Sequence, residues 1–421
     1  MQLRNRLRTA TCALLAVAGT AAAEGTWQAE AGALGYSEAG RVSVFEPLAR
    51  IKRTLPNGQW VAAKMVIDAM TGASPNGAMP TDHPQTFTSA SSLAQSQRNR
   101  GDGEGEGRGP TVVAPGATPL LPFQDHRVAL DLEYERPLLR TLKADIGAHI
   151  SGERDYISRG TTLSFSWDTP DRLTTFTAAG GANFDLVQPV GGKPKPYDLY
   201  AVTTRYGNGD KTVLDGMAGI TRILSRRWLM QFNYGYGRDK GYLTEPYKLV
   251  SILLPSGSTT DYRYENRPDL RTRQDAYLNS VYQFGEDVLR TSYRYYWDTW
   301  GVKSHTADVK YRFELPHSRY LEPHVRYYTQ TAADFHTFGL MDGAPLPAYA
   351  TSDYRYGHLA TTTIGLKYGV PTAGGELNFR AEYMRQSGDS HPSQAVGVQK
   401  NYDLFPSVNI LILQIGYSRD F

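Results

Sequence analysis

Leu142-Lys143-Ala144-Asp145-Ile146-Gly147-Ala148-His149-Ile150 is the stretch that decides the fold. Leu142, Ala144, Ile146, Ala148 and Ile150 share one face, and Lys143, Asp145, Gly147 and His149 share the other. Side chains alternate across a strand, whereas a helix puts residues i and i+2 on different faces. This stretch is therefore extended, with one oily side and one wet side.

The same period recurs along the chain. Val128, Leu130, Leu132 and Tyr134 enclose Asp131 and Glu133. Leu163, Phe165 and Trp167 oppose Thr162, Ser164, Ser166 and Asp168. Ala307, Val309, Tyr311 and Phe313 oppose Asp308, Lys310 and Arg312, and Leu377, Phe379, Ala381 and Tyr383 oppose Asn378, Arg380 and Glu382. A soluble sandwich also alternates. Here, however, the polar faces are heavily charged, the apolar faces end in Tyr and Trp, and the strands run about ten residues, where soluble sheets average about five or six. Aromatic sets such as Trp228, Met230, Phe232, Tyr234 and Tyr236, or Tyr293, Tyr295 and Trp297, suit a girdle at a lipid–water boundary.

The connections carry an independent signal. Short turns at 55–58, 137–140, 169–171, 224–226, 285–287, 315–318 and 371–374 are rich in Pro, Asn, Gly and Asp, which favour tight reversals. Between them lie long loops near 72–125, 181–210, 237–268, 330–355 and 387–406. Strand starts near residues 27, 41, 60, 126, 141, 159, 172, 211, 227, 270, 288, 302, 319, 356, 374 and 408 give sixteen strands. With both termini on one side of the membrane, the listed short turns fall on that side and the long loops on the other. Segments 27–36, 172–180 and 211–223 alternate weakly, so fourteen is the other count the pattern allows. The expected fold is all-β: a transmembrane antiparallel barrel over 24–421, closed because lipid cannot satisfy the edge of a sheet.

Both ends of the chain agree with export to an outer membrane. Arg4, Arg6 and Arg8 precede an apolar run and Ala21-Ala22-Ala23, the pattern of a signal peptide over 1–23. The single Cys of the 421 residues, Cys12, lies inside it, which excludes a disulfide framework or a multi-Cys metal centre from the remainder. Of 45 basic and 42 acidic residues, three arginines fall in this leader, leaving 42 of each sign. A balanced chain offers no global basic field for nucleic acid. Mean hydropathy is −0.45, and after residue 23 no apolar run reaches the ~20 residues a spanning helix needs. At the other end, Gln414, Gly416 and Phe421 resemble the terminal signal read by the barrel assembly machinery. Arg419 stands where that pattern has a hydrophobe.

Function should lie on the inward face. Its candidates are Arg290, Arg294, Asp308, Lys310, Arg312, Glu314, Glu322, Arg326, Arg380 and Glu382, with Asp131, Glu133, Glu135, Lys143 and Asp145 on earlier strands. Two readings stay open: a basic ladder attracting anionic solutes through a wet lumen, or charges that pair across strands and line it. Asp308 and Glu382, beside arginine neighbours, favour pairing. No catalytic residue, metal site or cofactor is expected. His149-Ile150-Ser151 resembles the His-x-Ser pair of outer-membrane phospholipase. No Asn-Gly follows it, and both polar residues point inward, away from lipid. His317 and His336 fall at opposite ends of the barrel, so they and His324 do not share a metal. Asp102, Glu104 and Glu106 sit in a Gly-rich stretch that reads as a solvated loop.

Several segments carry a family resemblance: Trp27-Gln28-Ala29-Glu30, Val42-Ser43-Val44-Phe45-Glu46-Pro47, Asp68-Ala69-Met70-Thr71-Gly72-Ala73-Ser74-Pro75-Asn76-Gly77-Ala78, Tyr264-Glu265-Asn266-Arg267-Pro268-Asp269 with Arg271-Thr272-Arg273, and Arg326-Tyr327-Tyr328-Thr329-Gln330. Together they resemble uncharacterised proteobacterial proteins of a domain of unknown function, expected to be outer-membrane barrels. The resemblance spans nearly the whole chain after the leader and implies a Gram-negative outer membrane, contact with its lipid and no established substrate. The expected function is a passive pore or transport channel for small solutes. The alternatives are a closed barrel serving as a platform for a surface or periplasmic partner, which the resemblance allows to be redox-related, and a lipid-acting enzyme.

Overall fold

A computed structural model of the chain describes residues 26–88 and 110–421. The expected signal peptide at 1–23 and the acidic stretch Asp102, Glu104 and Glu106 lie outside the described residues. Sixteen antiparallel strands close into a barrel. In chain order these are β1 (Trp27–Glu38), β2 (Val42–Thr54), β3 (Trp60–Pro75), β6 (Leu120–Pro137), β7 (Leu142–Gly152), β8 (Tyr156–Asp168), β9 (Thr174–Val187) and β10 (Gly209–Ser225), then β11 (Trp228–Gly241), β14 (Leu270–Phe284), β15 (Asp287–Asp298), β16 (Lys303–Leu315), β17 (Arg319–Gln330), β19 (Leu359–Thr372), β20 (Gly375–Gly388) and β21 (Val408–Asp420). The loops contribute β4 (Gln85–Phe87), β5 (Thr111–Val113), β12 (Leu249–Leu253), β13 (Thr259–Tyr264) and β18 (Leu340–Met341).

β1 pairs with β2 on one side and β21 on the other, so the barrel has no free edge. At the seam Trp27 N donates to Phe421 O at 2.7 Å, and Phe421 N donates to Trp27 O at 2.8 Å. A count of fourteen is excluded: the three weakly alternating segments lie within β1, β9 and β10. Their pattern is weak because inward positions carry small or apolar residues, Gly32 and Leu34 in β1, Ala179 in β9, and Val213, Met217 and Gly219 in β10.

Outward positions form an apolar belt. Ile146, Ile150, Leu130, Leu132, Phe165, Val325, Ile364, Leu411 and Leu413 are all exposed, which suits lipid and not water. Toward the short-turn end the belt finishes in Trp167, Trp228, Phe284 and Phe421, also exposed. Trp228 Nε1 donates to Ser280 Oγ at 2.9 Å, an apolar ring with one polar handle.

The long-loop end departs from the expectation in three ways. β3 and β6 run 16 and 18 residues, so the first long loop shrinks to 76–119 and its second strand starts at Leu120, not near 126. Connections 39–41, 153–155 and 299–302 on this end are short, so loop length alone does not mark the side. The described parts of the long loops are also not solvated strands of chain: they fold together. β4 pairs with β5, β12 with β13, and β18 joins β12 in parallel.

Candidate functional site

The lumen begins with side-chain parity. Each inward position of one strand faces an inward position of the next, so charge meets charge across the ladder. Arg50 lies 3.6 Å from Glu30 and 3.4 Å from Glu133. Lys143 lies 3.7 Å from Glu135, and Arg294 lies 3.3 Å from Asp275. Arg312 pairs with Glu314 on its own strand, and Lys310 lies 3.9 Å from Asp308. Several of these charged groups keep contact with solvent: the side chains of Lys143, Glu30 and Asp215 are 40%, 42% and 45% exposed. Charges are not left in contact with hydrocarbon, so this face is wet.

Glycine gives the pairs their reach. Gly365 on β19 faces inward between β17 and β20, and a Cβ there would lie 2.6 Å from Glu382 Cγ. Through that gap Glu382 Oε1 reaches His324 Nδ1 at 2.9 Å, while His324 Nε2 meets Asp308 Oδ2 at 2.8 Å. One imidazole thus ties β16, β17 and β20. Gly237 does the same for Arg273, which crosses it to meet Asp239 on β11 at 2.6 Å and Asp215 on β10 at 3.0 Å. At Gly365 and Gly237 the neighbouring Glu382 and Arg273 side chains lie across the gap along the wall.

Arg294, Asp308, Lys310, Arg312, Arg380 and Glu382 all enter wall pairs, Arg380 at 3.8 Å from Glu382. Glu322 faces Lys367 in register, and Arg326 faces Asp308. Arg290 stands beside a like charge, Lys310, and is exposed on the inward face. Gln414 and Gly416 lie in β21 and Phe421 at the seam. His317 sits in a short turn and His336 in a long loop, at opposite ends as expected.

Sequence reasoning missed the mouth of the barrel. An arc of buried polar residues on eight successive strands, β3 to β14, marks its long-loop end: Asp68, Arg127, Ser151, Ser158, Asp185, Lys211, Asp239 and Arg273. Above them the loops build a cap with its own apolar cores. Ala78, Phe87, Val113, Leu249 and Tyr264 form one; Met79, Ala395 and Leu404 form another. Residues 76–81 are buried as a strap. Leu249 N donates to Asn76 O at 2.8 Å, Met79 N donates to Ser251 Oγ at 2.9 Å, and Gln399 Nε2 donates to Pro80 O and Gly257 O, both at 2.8 Å.

The cap is locked by a buried ionic joint. Arg267 lies 2.7 Å from Glu265 and 2.9 Å from Asp353, and Arg355 lies 2.5 Å from Asp353 and 3.4 Å from Glu245. Burial pushes up on the Asp353 carboxyl, but Arg355, Lys248 and Arg267 together hold it well below the usual carboxylate range. Burial raises the Glu265 carboxyl against the pull of Arg267, and burial lowers Lys248. The signal was present in the sequence as Glu265 and Arg267 at the end of a long loop, followed by Arg271 and Arg273 at the start of β14, a density of charge that a solvated segment does not require.

A family model described as "Protein of unknown function (DUF3570)" matches residues 4–419. The chain belongs to the DUF3570 family. No curated protein matches. Among solved structures, the outer membrane protein opdK from Pseudomonas aeruginosa is 8% identical over 94% of this chain and 99% of that one, with a TM-score of 0.43. CdiB from Acinetobacter baumannii is 7% identical over 96% of this chain and 61% of that one, with a TM-score of 0.44. A deltaS2S3 mutant of the monoaromatic hydrocarbon channel TodX is 10% identical over 95% of this chain and 91% of that one, with a TM-score of 0.41.

Proposed function

We propose that this DUF3570 chain is an outer-membrane channel for small polar solutes, closed at its long-loop mouth in the conformation described. The observation that carries the reading is the lumen wall: charged side chains paired along the surface, laid flat through glycine gaps, and still accessible to solvent at Glu30, Lys143 and Asp215. A sixteen-strand circumference is wide enough for an aqueous bore. Arg290 and Arg326, on β15 and β17, set the local sign of the field that a passing ion meets. The test is the reversal potential in planar bilayers under a salt gradient. Arg290→Glu and Arg326→Glu should each move selectivity toward cations, and an unchanged reversal potential in both counts against the reading.

The folded cap favours a second reading, a platform whose long-loop end docks a surface partner. It predicts a barrel without stepwise conductance that retains one partner through purification and loses it when the 242–269 loop is cut.

A further inference from the structure

We propose that the lumen wall carries a nucleophilic hydrolase site, with Ser151 as nucleophile, His149 as base and Asp131 as its orienting carboxylate. The placement follows from strand parity. His149 and Ser151 are i and i+2 on β7, so both face inward, and Asp131 on β6 is the register partner of His149. Asp131 Oδ1 lies 2.5 Å from His149 Nδ1, and His149 Nε2 lies 3.3 Å from Ser151 Oγ. That is the connectivity a serine nucleophile needs: a carboxylate fixing the tautomer, an imidazole facing the hydroxyl, and a distance that shortens when substrate binds.

The surroundings complete the case. Asp131 and His149 are each 21% exposed by side chain, so the base is reachable from the lumen. Ser151 is 5% exposed, and its register neighbours are Ala129 and Ser158. On the far side of His149 is Gly160, where a Cβ would lie 1.9 Å from Asn183 Oδ1. The Asn183 side chain therefore lies over Gly160 beside His149, with its amide oxygen toward that position. The site opens to water and not to lipid, so the substrate class is a short-chain, water-soluble ester.

The chemistry balances. Ser151 Oγ adds to the ester carbonyl as its proton passes to His149 Nε2. The tetrahedral intermediate collapses by breaking the bond to the alcohol oxygen, and the alcohol leaves with that proton. Water, deprotonated by His149, then releases the acid and restores Ser151.

The test uses the refolded full-length barrel in detergent, with p-nitrophenyl acetate as substrate and diisopropyl fluorophosphate as covalent probe. We expect acetate-ester hydrolysis and a single probe adduct on Ser151. Ser151→Ala and His149→Gln should each lose at least about a hundredfold in kcat and lose the adduct. A retained mobility difference between heated and unheated samples shows that each variant is still a closed barrel. Absence of an adduct on the wild-type chain, or hydrolysis that survives Ser151→Ala, overturns the assignment and leaves Asp131, His149 and Ser151 as a polar ladder of the wall.

Discussion

At the scale of the residue, the wall depends on what is missing. Gly365 is small so that Glu382 can pass over it to His324. Gly365→Val would place a branched side chain in that passage and strand a carboxylate against an imidazole it no longer reaches. Losing a charge-assisted hydrogen bond while keeping the group confined costs about 1–3 kcal/mol. The denaturant midpoint of the barrel in micelles should fall accordingly, and an unchanged midpoint refutes the role given to this glycine. Such positions are hard to read in a sequence, because a glycine on the wet face looks like a break in the period. The charged residues of the same face were legible: parity alone put Arg294, Asp308, Lys310, Arg380 and Glu382 on one surface. Their partners two strands away were not, because register across a closed sheet is a property of the whole ladder.

His336 gives a second prediction at this scale. It sits in the cap against Phe338, and burial holds its imidazole down at about 4. An unfolded loop protonates near the ordinary value of about 6.5, so between these limits the open form binds more protons and the cap loses stability as pH falls. The full effect is at most about 3 kcal/mol. Asp353, the charged neighbour acting on this ring, pulls the other way but does not prevail. Protease cleavage within 331–358 should quicken between pH 6.5 and pH 4, and His336→Gln should blunt that rise. Equal acid sensitivity in the variant contradicts the assignment.

At the scale of the element, strands and caps obey different rules. Periodicity and turn chemistry together placed the barrel starts to within a few residues, the exception being β6, which begins at Leu120, ahead of the alternation that starts near Val128. The loops escaped because their order is tertiary. β12, Leu249-Val250-Ser251-Ile252-Leu253, is buried along its whole length, and a short apolar run in a loop says nothing of what covers it. The ionic joint is what that order leans on. Arg267→Met leaves Glu265 and Asp353 buried beside one fewer cation, which costs about 3–5 kcal/mol. The loss should fall on the cap alone. Hydrogen exchange should accelerate across 242–269 and 331–358, while β7, β16 and β20 keep their protection. Uniform acceleration through the barrel strands would mean that cap and barrel unfold as one unit.

At the scale of the molecule, the lipid-facing belt, the wet lumen and the capped mouth follow from one arrangement of side chains around a closed sheet. The alternation along β7 is its simplest expression, and the chain offers a clean way to test it, since its only cysteine is Cys12. Single cysteines placed at Lys143, Ala144, Asp145, Ile146, Ala148 and His149 can be challenged, in reconstituted bilayers, with a charged thiol reagent that does not enter hydrocarbon. Labelling should follow parity, with positions 143, 145 and 149 reacting and positions 144, 146 and 148 protected. Uniform reactivity, or a period near 3.6, would contradict the account.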